Sequence, residues 1–401
     1  KIADWLKKEG MAADFFESSR QAFCRCGGEI VSAVLSDQWF LDYNAPGWKQ
    51  NANECLRQMQ VHPPIYRKQF EDVFAWLDKR PCARRRGLGT QLPFANEWII
   101  ESLSDSTIYM AFYTVIKNIR QFGVKPTQLS PEFFDLVLLG QGKEEEVAKR
   151  TGVSVKALRE LREEFLYWYP NDLRHTGIAH ITNHLSFFVF AHAAIFPPEQ
   201  WPKGISLNEL VLSEGTKMSK SKGNVVLLNY IAREGLADVF RFYSTGAADF
   251  TSVLDYRARD VEVAKKNLAK LVSTILELIE LSKTNDDAKA INGNAYLWMA
   301  SKFEKSVRDS TKALEEFRLR DYVQLCAHNL LKDYDYFSKR ASEGEKRAFA
   351  LQYACKWIAL LAPLVPHSAE ELWERAGGKE FISLSQWPAA DEKLISPEVE
   401  L

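Results

Sequence analysis

From Asp260 onward the apolar residues Val261, Ala264, Leu268, Leu271, Ile275 and Leu278 return every three or four positions. That spacing is one face of an α-helix, and a helix this long must bury its stripe against other helices. Three further helical patterns follow, Tyr296 to Phe317, Tyr322 to Arg340 and Ala348 to Leu361. They predict an up-and-down bundle over residues 256–376, closed by Pro363 and Pro366, with a tail over 377–401.

The pattern upstream of the bundle is different. Residues 1–50 read as a connecting segment, with a short amphipathic helix carrying Trp5, Leu6, Phe15 and Phe16, a Cys24-Arg25-Cys26-Gly27-Gly28 knuckle and a strand-like run from Ile30 to Leu35. Pro63-Pro64 then breaks the chain, Ile65 to Arg80 reads helical, and Trp98-Ile99-Ile100 reads as a short buried strand feeding a helix from Asp105. Residues 126–170 read as a helical insertion, with Ser154 placed as the N-cap of a helix to Trp168. A DNA-reading helix-turn-helix would share that local pattern, but an insertion in an α/β domain is the plainer reading. Strand-like pieces resume at Ile205 to Leu212. Short apolar strands alternating with helices predict an α/β layer in two parts, residues 51–125 and 171–255.

Composition narrows the function classes. With 46% hydrophobic and 26% charged residues the chain is not disordered, and 52 basic against 53 acidic side chains give a net charge of −1, so any nucleic-acid face must come from local clusters. Six cysteines in 401 residues are too few for a disulfide scaffold, which predicts free thiols and a cytoplasmic location. Cys24 and Cys26 alone are close together, half of a zinc set that would need further ligands. The apolar run Leu185 to Phe196 is broken by His192 and followed by Pro197-Pro198, which predicts no membrane span. Lys1-Ile2-Ala3-Asp4-Trp5 has neither a methionine start nor the form of a secretion signal, so it reads as an internal start.

The segment richest in chemistry is Glu214-Gly215-Thr216-Lys217-Met218-Ser219-Lys220-Ser221-Lys222-Gly223-Asn224. Three lysines spaced by small hydroxylated residues and bracketed by glycines can converge on a polyphosphate, with serines and backbone N–H groups donating hydrogen bonds. The densest basic cluster is Lys79, Arg80, Arg84, Arg85 and Arg86, either a solvated face or an RNA contact. Lys265, Lys266 and Lys270 on the bundle have the same two readings.

The order Lys217-Met218-Ser219-Lys220-Ser221 resembles the second signature of class I aminoacyl-tRNA synthetases. Its surroundings resemble leucyl-tRNA synthetases of the archaeal and eukaryotic cytosolic type. They are Cys24-Arg25-Cys26-Gly27, Gln38-Trp39-Phe40, Trp76-Leu77, the run Cys82 to Thr90, the run Ile100 to Met110 and the run Trp168 to Arg174. Isoleucyl and valyl enzymes share the lysine loop but not Glu101-Ser102-Leu103-Ser104-Asp105-Ser106.

The resemblance implies a partial Rossmann-type α/β nucleotide-binding core followed by an all-α anticodon-binding bundle, with residues 1–50 returning from an editing insertion. It implies leucine, ATP with Mg2+ and tRNA(Leu) as substrates and partners. Lys217 and Lys220 would be catalytic, while Gly177, His180, Met218, Ser219 and Ser221 would bind ATP. Leu103, Ser106 and His184 would line the leucine, and Arg84, Arg85 and Arg86 would meet tRNA. The first catalytic signature, the editing domain and the carboxy-terminal tRNA-contacting domain of that family have no counterpart here. The resemblance therefore implies a missing amino-terminal half or second subunit, without which the chain would be inactive. Ile178 and Ala179 depart from the family's Lys-Asp, and an alanine cannot accept hydrogen bonds from the ribose hydroxyls of ATP. That departure keeps a noncatalytic tRNA-binding paralogue open as the alternative; an unrelated nucleotidyltransferase would make the leucyl-type segments coincidence.

Overall fold

The apolar stripe from Val261 is buried along its whole length. In the computed structural model, which describes residues 1–17, 19–24, 27–32, 37–218, 223–283 and 293–400, those six residues lie on one face of the helix Ala258–Ser282. Helices Asn294–Glu315 and Glu343–Leu361 pack with it, and the third pattern becomes Leu319–Val323, a wider π-helical turn Gln324–Asn329, and Leu330–Ser338. Ser342 starts the Glu343–Leu361 helix with a reciprocal capping box to Glu345, which satisfies two N–H groups at that end. Phe303, Tyr353 and Trp357 are fully buried at the centre, and the Trp357 indole N–H donates to the Cys326 carbonyl at 2.8 Å.

Two readings of this region are corrected. Pro366 does not close the bundle; it is the first residue of another helix, Pro366–Arg375, where its missing N–H costs no hydrogen bond. The expected tail is packed back on the helices: Ile382 is buried, Trp387 Nε1 donates to Thr311 Oγ1 at 2.8 Å, and the Asp391 N–H donates to Glu304 at 2.9 Å. Glu304 is a fully buried carboxylate whose other oxygen holds Lys356 Nζ at 2.8 Å, so the returning chain supplies a second donor to a buried ion pair.

The chain divides into two compact units. One comprises residues 1–55, 72–168 and 183–199; the other comprises 56–71, 169–182 and 200–401 and so includes the bundle. In the second unit a parallel sheet has Gly204–Asn208 at its centre, flanked by Gln60–His62 and Arg174–Gly177. The central strand is buried at Gly204, Ile205, Ser206 and Leu207, as a strand covered on both faces should be. A smaller sheet has Val211–Ser213 in the middle, antiparallel to Thr216–Lys217 and parallel to Leu254–Tyr256. Helix Ala237–Ala247 follows, and its buried Asp238 accepts from the N–H groups of His367 and Ser368 at the start of Pro366–Arg375. Arg241 on the same helix donates to the Pro363 and Leu364 carbonyls just before that start.

The first unit departs further from expectation. Its strands are antiparallel: Phe40–Asp42 pairs with Lys79–Pro81, and Ala95–Ile100 lies between Ala83–Arg84 and Gln91–Leu92. The expected buried strand at Trp98-Ile99-Ile100 is therefore a hairpin strand in which Trp98 is buried while Ile99 and Ile100 are half-buried. The helical reading of Ile65 to Arg80 ends at Trp76, and Arg80 lies in a strand. The first helix is Ile2–Lys8 with no buried residue, while Phe15 and Phe16 lie outside it and are exposed. Ile30 and Val31 are exposed and form no strand; residues 33–36 of that expected run lie outside the described residues. The insertion helix is Val155–Trp168, with Ser154 Oγ accepting from the Ala157 N–H at 3.2 Å.

One stretch overturns the expectation that nothing has the make-up of a membrane span. Ile178–Ile195 is an 18-residue helical run of mean hydropathy 1.2, and half of it is buried. Phe188, Val189, Phe190 and His192 are fully buried, which accounts for its apolar composition within the fold. The His192 ring Nδ1 lies 2.9 Å from the Phe188 carbonyl, and burial pushes its pKa from 6.5 to about 4. The folded ring stays neutral where the unfolded ring would take a proton, so this term is harmless above pH 6.5 and destabilises as pH falls from 6.5 towards 4. At its limit it amounts to roughly 3 kcal/mol. Urea titrations at pH 7 and pH 4.5 should show a smaller acid-induced loss of stability in His192→Leu than in the wild type. Equal losses would show that His192 is not held neutral.

Candidate functional site

In the first unit the sequence Glu101 to Ser106 forms a single helical turn, Ser102–Asp105, because the Glu101 carboxylate caps it by accepting the Leu103 N–H at 2.7 Å. The turn leaves Leu103 half-buried and aims Ser106 at His184, whose Nδ1 is 3.0 Å from the Ser106 hydroxyl. His184 is buried and sits in a π-helical turn, Ile181–Leu185, a geometry that shifts side chains out of ordinary helical register. Three residues expected at the leucine are thereby gathered around one turn. Together they present an apolar side chain, a hydroxyl and an imidazole.

The arginine cluster is also in this unit, and part of it is engaged within the fold. Arg84 Nη2 donates to the Leu88 carbonyl at 2.8 Å, closing the loop that carries Gly87 and Gly89. Arg85 lies 4.5 Å over the Trp98 ring, and Arg80 4.9 Å over Trp76. Arg85 and Arg86 remain exposed, so a basic edge persists beside that hairpin.

In the second unit a cavity of about 350 Å3 opens beside Met218. Asn208 and Glu209 reach it from the end of the central strand, His175 from the neighbouring strand, and Phe240, Phe250 and Tyr256 form apolar walls. Gly177 is the register partner of Asn208, so it borders the same strand ends. Substrates of open parallel sheets bind at such carboxyl ends. His180 is exposed in the short turn Ile178–His180 that follows, as is Ala179. Lys217 is exposed on the edge strand Thr216–Lys217, and Asn224 Nδ2 donates to the Lys217 carbonyl and to Thr216 Oγ1, tying the far end of the loop to its base. Ser219, Lys220 and Ser221 lie outside the described residues.

His175 and Glu209 are lining residues that the sequence did not single out. His175 Nδ1 is 2.8 Å from Ser206 Oγ, and partial desolvation of the ring holds its pKa below the usual value. Tyr66 donates its hydroxyl proton to Glu209 Oε1 at 2.9 Å, orienting the carboxylate, and burial with this bond raises the phenol to about 12.

The expectation of free thiols fails at Cys24, which is disulfide-bonded, whereas Cys55, Cys82, Cys326 and Cys355 are free; Cys26 lies outside the described residues. Among the described residues no three His, Cys, Asp or Glu side chains are grouped to hold a metal ion.

The family "tRNA synthetases class I (M)" matches residues 154–281, and "Anticodon-binding domain of tRNA ligase" matches residues 297–401. Leucine–tRNA ligase of Staphylothermus marinus is 47% identical over the whole chain. The chain is homologous throughout to leucine–tRNA ligases. Leucine–tRNA ligase of Pyrococcus horikoshii is 41% identical over the whole chain, and leucine–tRNA ligase 2 of Metallosphaera sedula is 42% identical over 96% of it. The chain spans 41%, 42% and 40% of these three relatives, about two fifths of their length.

Among solved structures, methionyl-tRNA synthetase of Mycobacterium tuberculosis with methionyl-adenylate aligns with a TM-score of 0.63 at 15% identity, over 89% of this chain and 66% of that one. The LeuRS–tRNA–LeuAMS complex of Agrobacterium radiobacter K84 aligns with a TM-score of 0.54 at 15% identity, over 80% and 40%. At that identity these two speak for the fold alone. The fold is that of a class I synthetase catalytic domain followed by a helical anticodon-binding region.

Proposed function

We propose that this chain supplies the lysine-loop half of the ATP site and the anticodon-side bundle of a leucine–tRNA ligase, which activates leucine with ATP and transfers it to tRNA(Leu). The observation that carries the reading is the 47% identity, over the whole of this chain and 41% of the relative, with a protein named leucine–tRNA ligase. In the reaction a leucine carboxylate oxygen attacks the α-phosphorus of ATP, the bond to the β-phosphate oxygen breaks, and pyrophosphate leaves. Negative charge grows on the departing phosphates. Lys217, with Lys220 further along the loop, meets that charge in the transition state and lowers the barrier without tightening the ground state. Mg2+ would arrive with the ATP phosphates and share the same charge.

The nucleoside end of ATP is assigned to the strand ends at Gly177 and Asn208, beside the cavity at Met218. Leu103, Ser106 and His184 are assigned to leucine: one apolar contact and one hydrogen-bonding pair, too little to separate leucine from its isomers without a second sieve. Arg85 and Arg86, exposed beside the hairpin, are assigned to tRNA phosphates. The cytoplasm, where ATP and tRNA are available, is the proposed location.

Ala179, exposed at the turn after Gly177 and without a hydrogen-bond acceptor on its side chain, favours a second reading as a tRNA-binding paralogue that no longer adenylates. ATP–pyrophosphate exchange separates the two. The first predicts exchange that depends on leucine and not on methionine, measured with the portion of the ligase that this chain lacks supplied. The second predicts tRNA binding without exchange.

A further inference from the structure

The two-residue turn Glu214-Gly215 joins Val211–Ser213 to Thr216–Lys217, with φ of +50° at Glu214 and +75° at Gly215. Positive φ at both positions is the tight hairpin geometry that Asn-Gly or Gly-Gly fills without strain, and glutamate is an unfavourable occupant of the first of them. Its side chain shows what it does there. Glu214 Oε1 accepts the Ala258 N–H at 3.0 Å, at the first residue of the helix Ala258–Ser282. The Gly215 N–H donates to Asp255 Oδ1 at 2.8 Å, and the other Asp255 oxygen holds Arg257 Nε at 2.7 Å. The Glu214 N–H donates to the Tyr256 carbonyl at 3.0 Å, and the Tyr243 hydroxyl to the Asp255 carbonyl at 2.9 Å. The bonds from Gly215 and Arg257 hold the Asp255 carboxyl below its usual range, so that carboxylate is charged at pH 7.

One bond thus runs from the first residue of that helix to the turn, and a second from the turn to Asp255, on the strand Leu254–Tyr256 that leads into the helix. Lys217 is three residues beyond Glu214 on a strand of two residues, with little backbone pairing of its own. We propose that Glu214 and Asp255 are positioning residues that staple the Lys217 hairpin to the amino end of the Ala258–Ser282 helix, so that the lysine moves with the bundle. The bearing on leucine activation rests on the function proposed above; the staple itself does not.

Glu214→Gly is the discriminating variant, because it relieves the backbone strain while removing the carboxylate. In the full chain, tryptic scission after Lys217 should run about ten-fold faster in Glu214→Gly and in Asp255→Ala than in the wild type, relative to a reference site in the bundle, for the loss of one charge-assisted bond. Glu214→Gln, which keeps an acceptor oxygen, should restore most of the protection. A Glu214→Gly chain cut at the wild-type rate overturns the staple. Where the wild type exchanges pyrophosphate, Glu214→Gly should lower kcat with the leucine KM unchanged; faster scission with unchanged kcat overturns the positioning role. A wild type without exchange counts against the proposed function, and the scission rates still decide the staple.

Discussion

Lys217→Ala is expected to reduce kcat for leucine-dependent ATP–pyrophosphate exchange by about 100- to 1,000-fold, the usual effect of deleting one preorganised group that meets developing charge. The KM for leucine should stay within about two-fold, because the ammonium group is assigned to phosphates and not to the amino acid. Lys217 projects from an exposed edge strand whose Cα partner is Leu212, so its removal disturbs no packed core. The variant should therefore unfold at the wild-type temperature. A raised leucine KM with kcat intact would place Lys217 in ground-state binding and contradict the assignment.

Trp357→Ala should be the most damaging substitution in the bundle. The indole is fully buried, packs edge-on to Phe303 and Tyr334 with ring centroids 6.1 Å away in each case, and donates to the Cys326 carbonyl. Loss of the side chain leaves a cavity, and such truncations cost roughly 3–5 kcal/mol. In a helical unit of this size that is a fall of about 10 °C in the melting temperature followed by circular dichroism. Trp357→Phe keeps most of the volume and loses the N–H, so it should cost only about 1 kcal/mol. Equal effects of the two would mean that the hydrogen bond, and not the packing, governs this position.

The bundle was legible because burial in long helices leaves a period in the sequence: Val261 to Leu278 repeat every three or four residues and all six are buried. The chain after Phe381 was misread because it has no period to show. It is held by one buried side chain, Ile382, by the Trp387 indole donating to Thr311, and by backbone N–H groups donating to Glu304 and Glu370, and backbone donors carry no residue code. The strands of two or three residues in the first unit fall below the length at which alternation can be detected, and the fold there is set by pairing between Ala95–Ile100 and segments on either side of a turn.

The site divides in the same way. The lysine loop announced itself through the order of its residues, and Ser106 with His184 came from a resemblance that the geometry accommodates at 3.0 Å across 78 positions of sequence. His175 and Glu209 had no such signal. They reach the cavity because parallel strand register places His175 opposite Ser206 and Glu209 just past the strand end, a juxtaposition that local sequence does not encode. Glu214 carries a signal that could have been read: a glutamate in the Xaa-Gly position of a tight hairpin is costly unless its carboxylate is used elsewhere.

The most direct measurement is leucine-dependent ATP–pyrophosphate exchange by the 401-residue chain, alone and mixed with the amino-terminal portion of a leucine–tRNA ligase that this chain does not span. The chain alone should be silent and the mixture should exchange pyrophosphate, at a rate that Lys217→Ala lowers by about 100- to 1,000-fold. Exchange by the chain alone, or a mixture that binds tRNA(Leu) and remains silent, would contradict the proposed function.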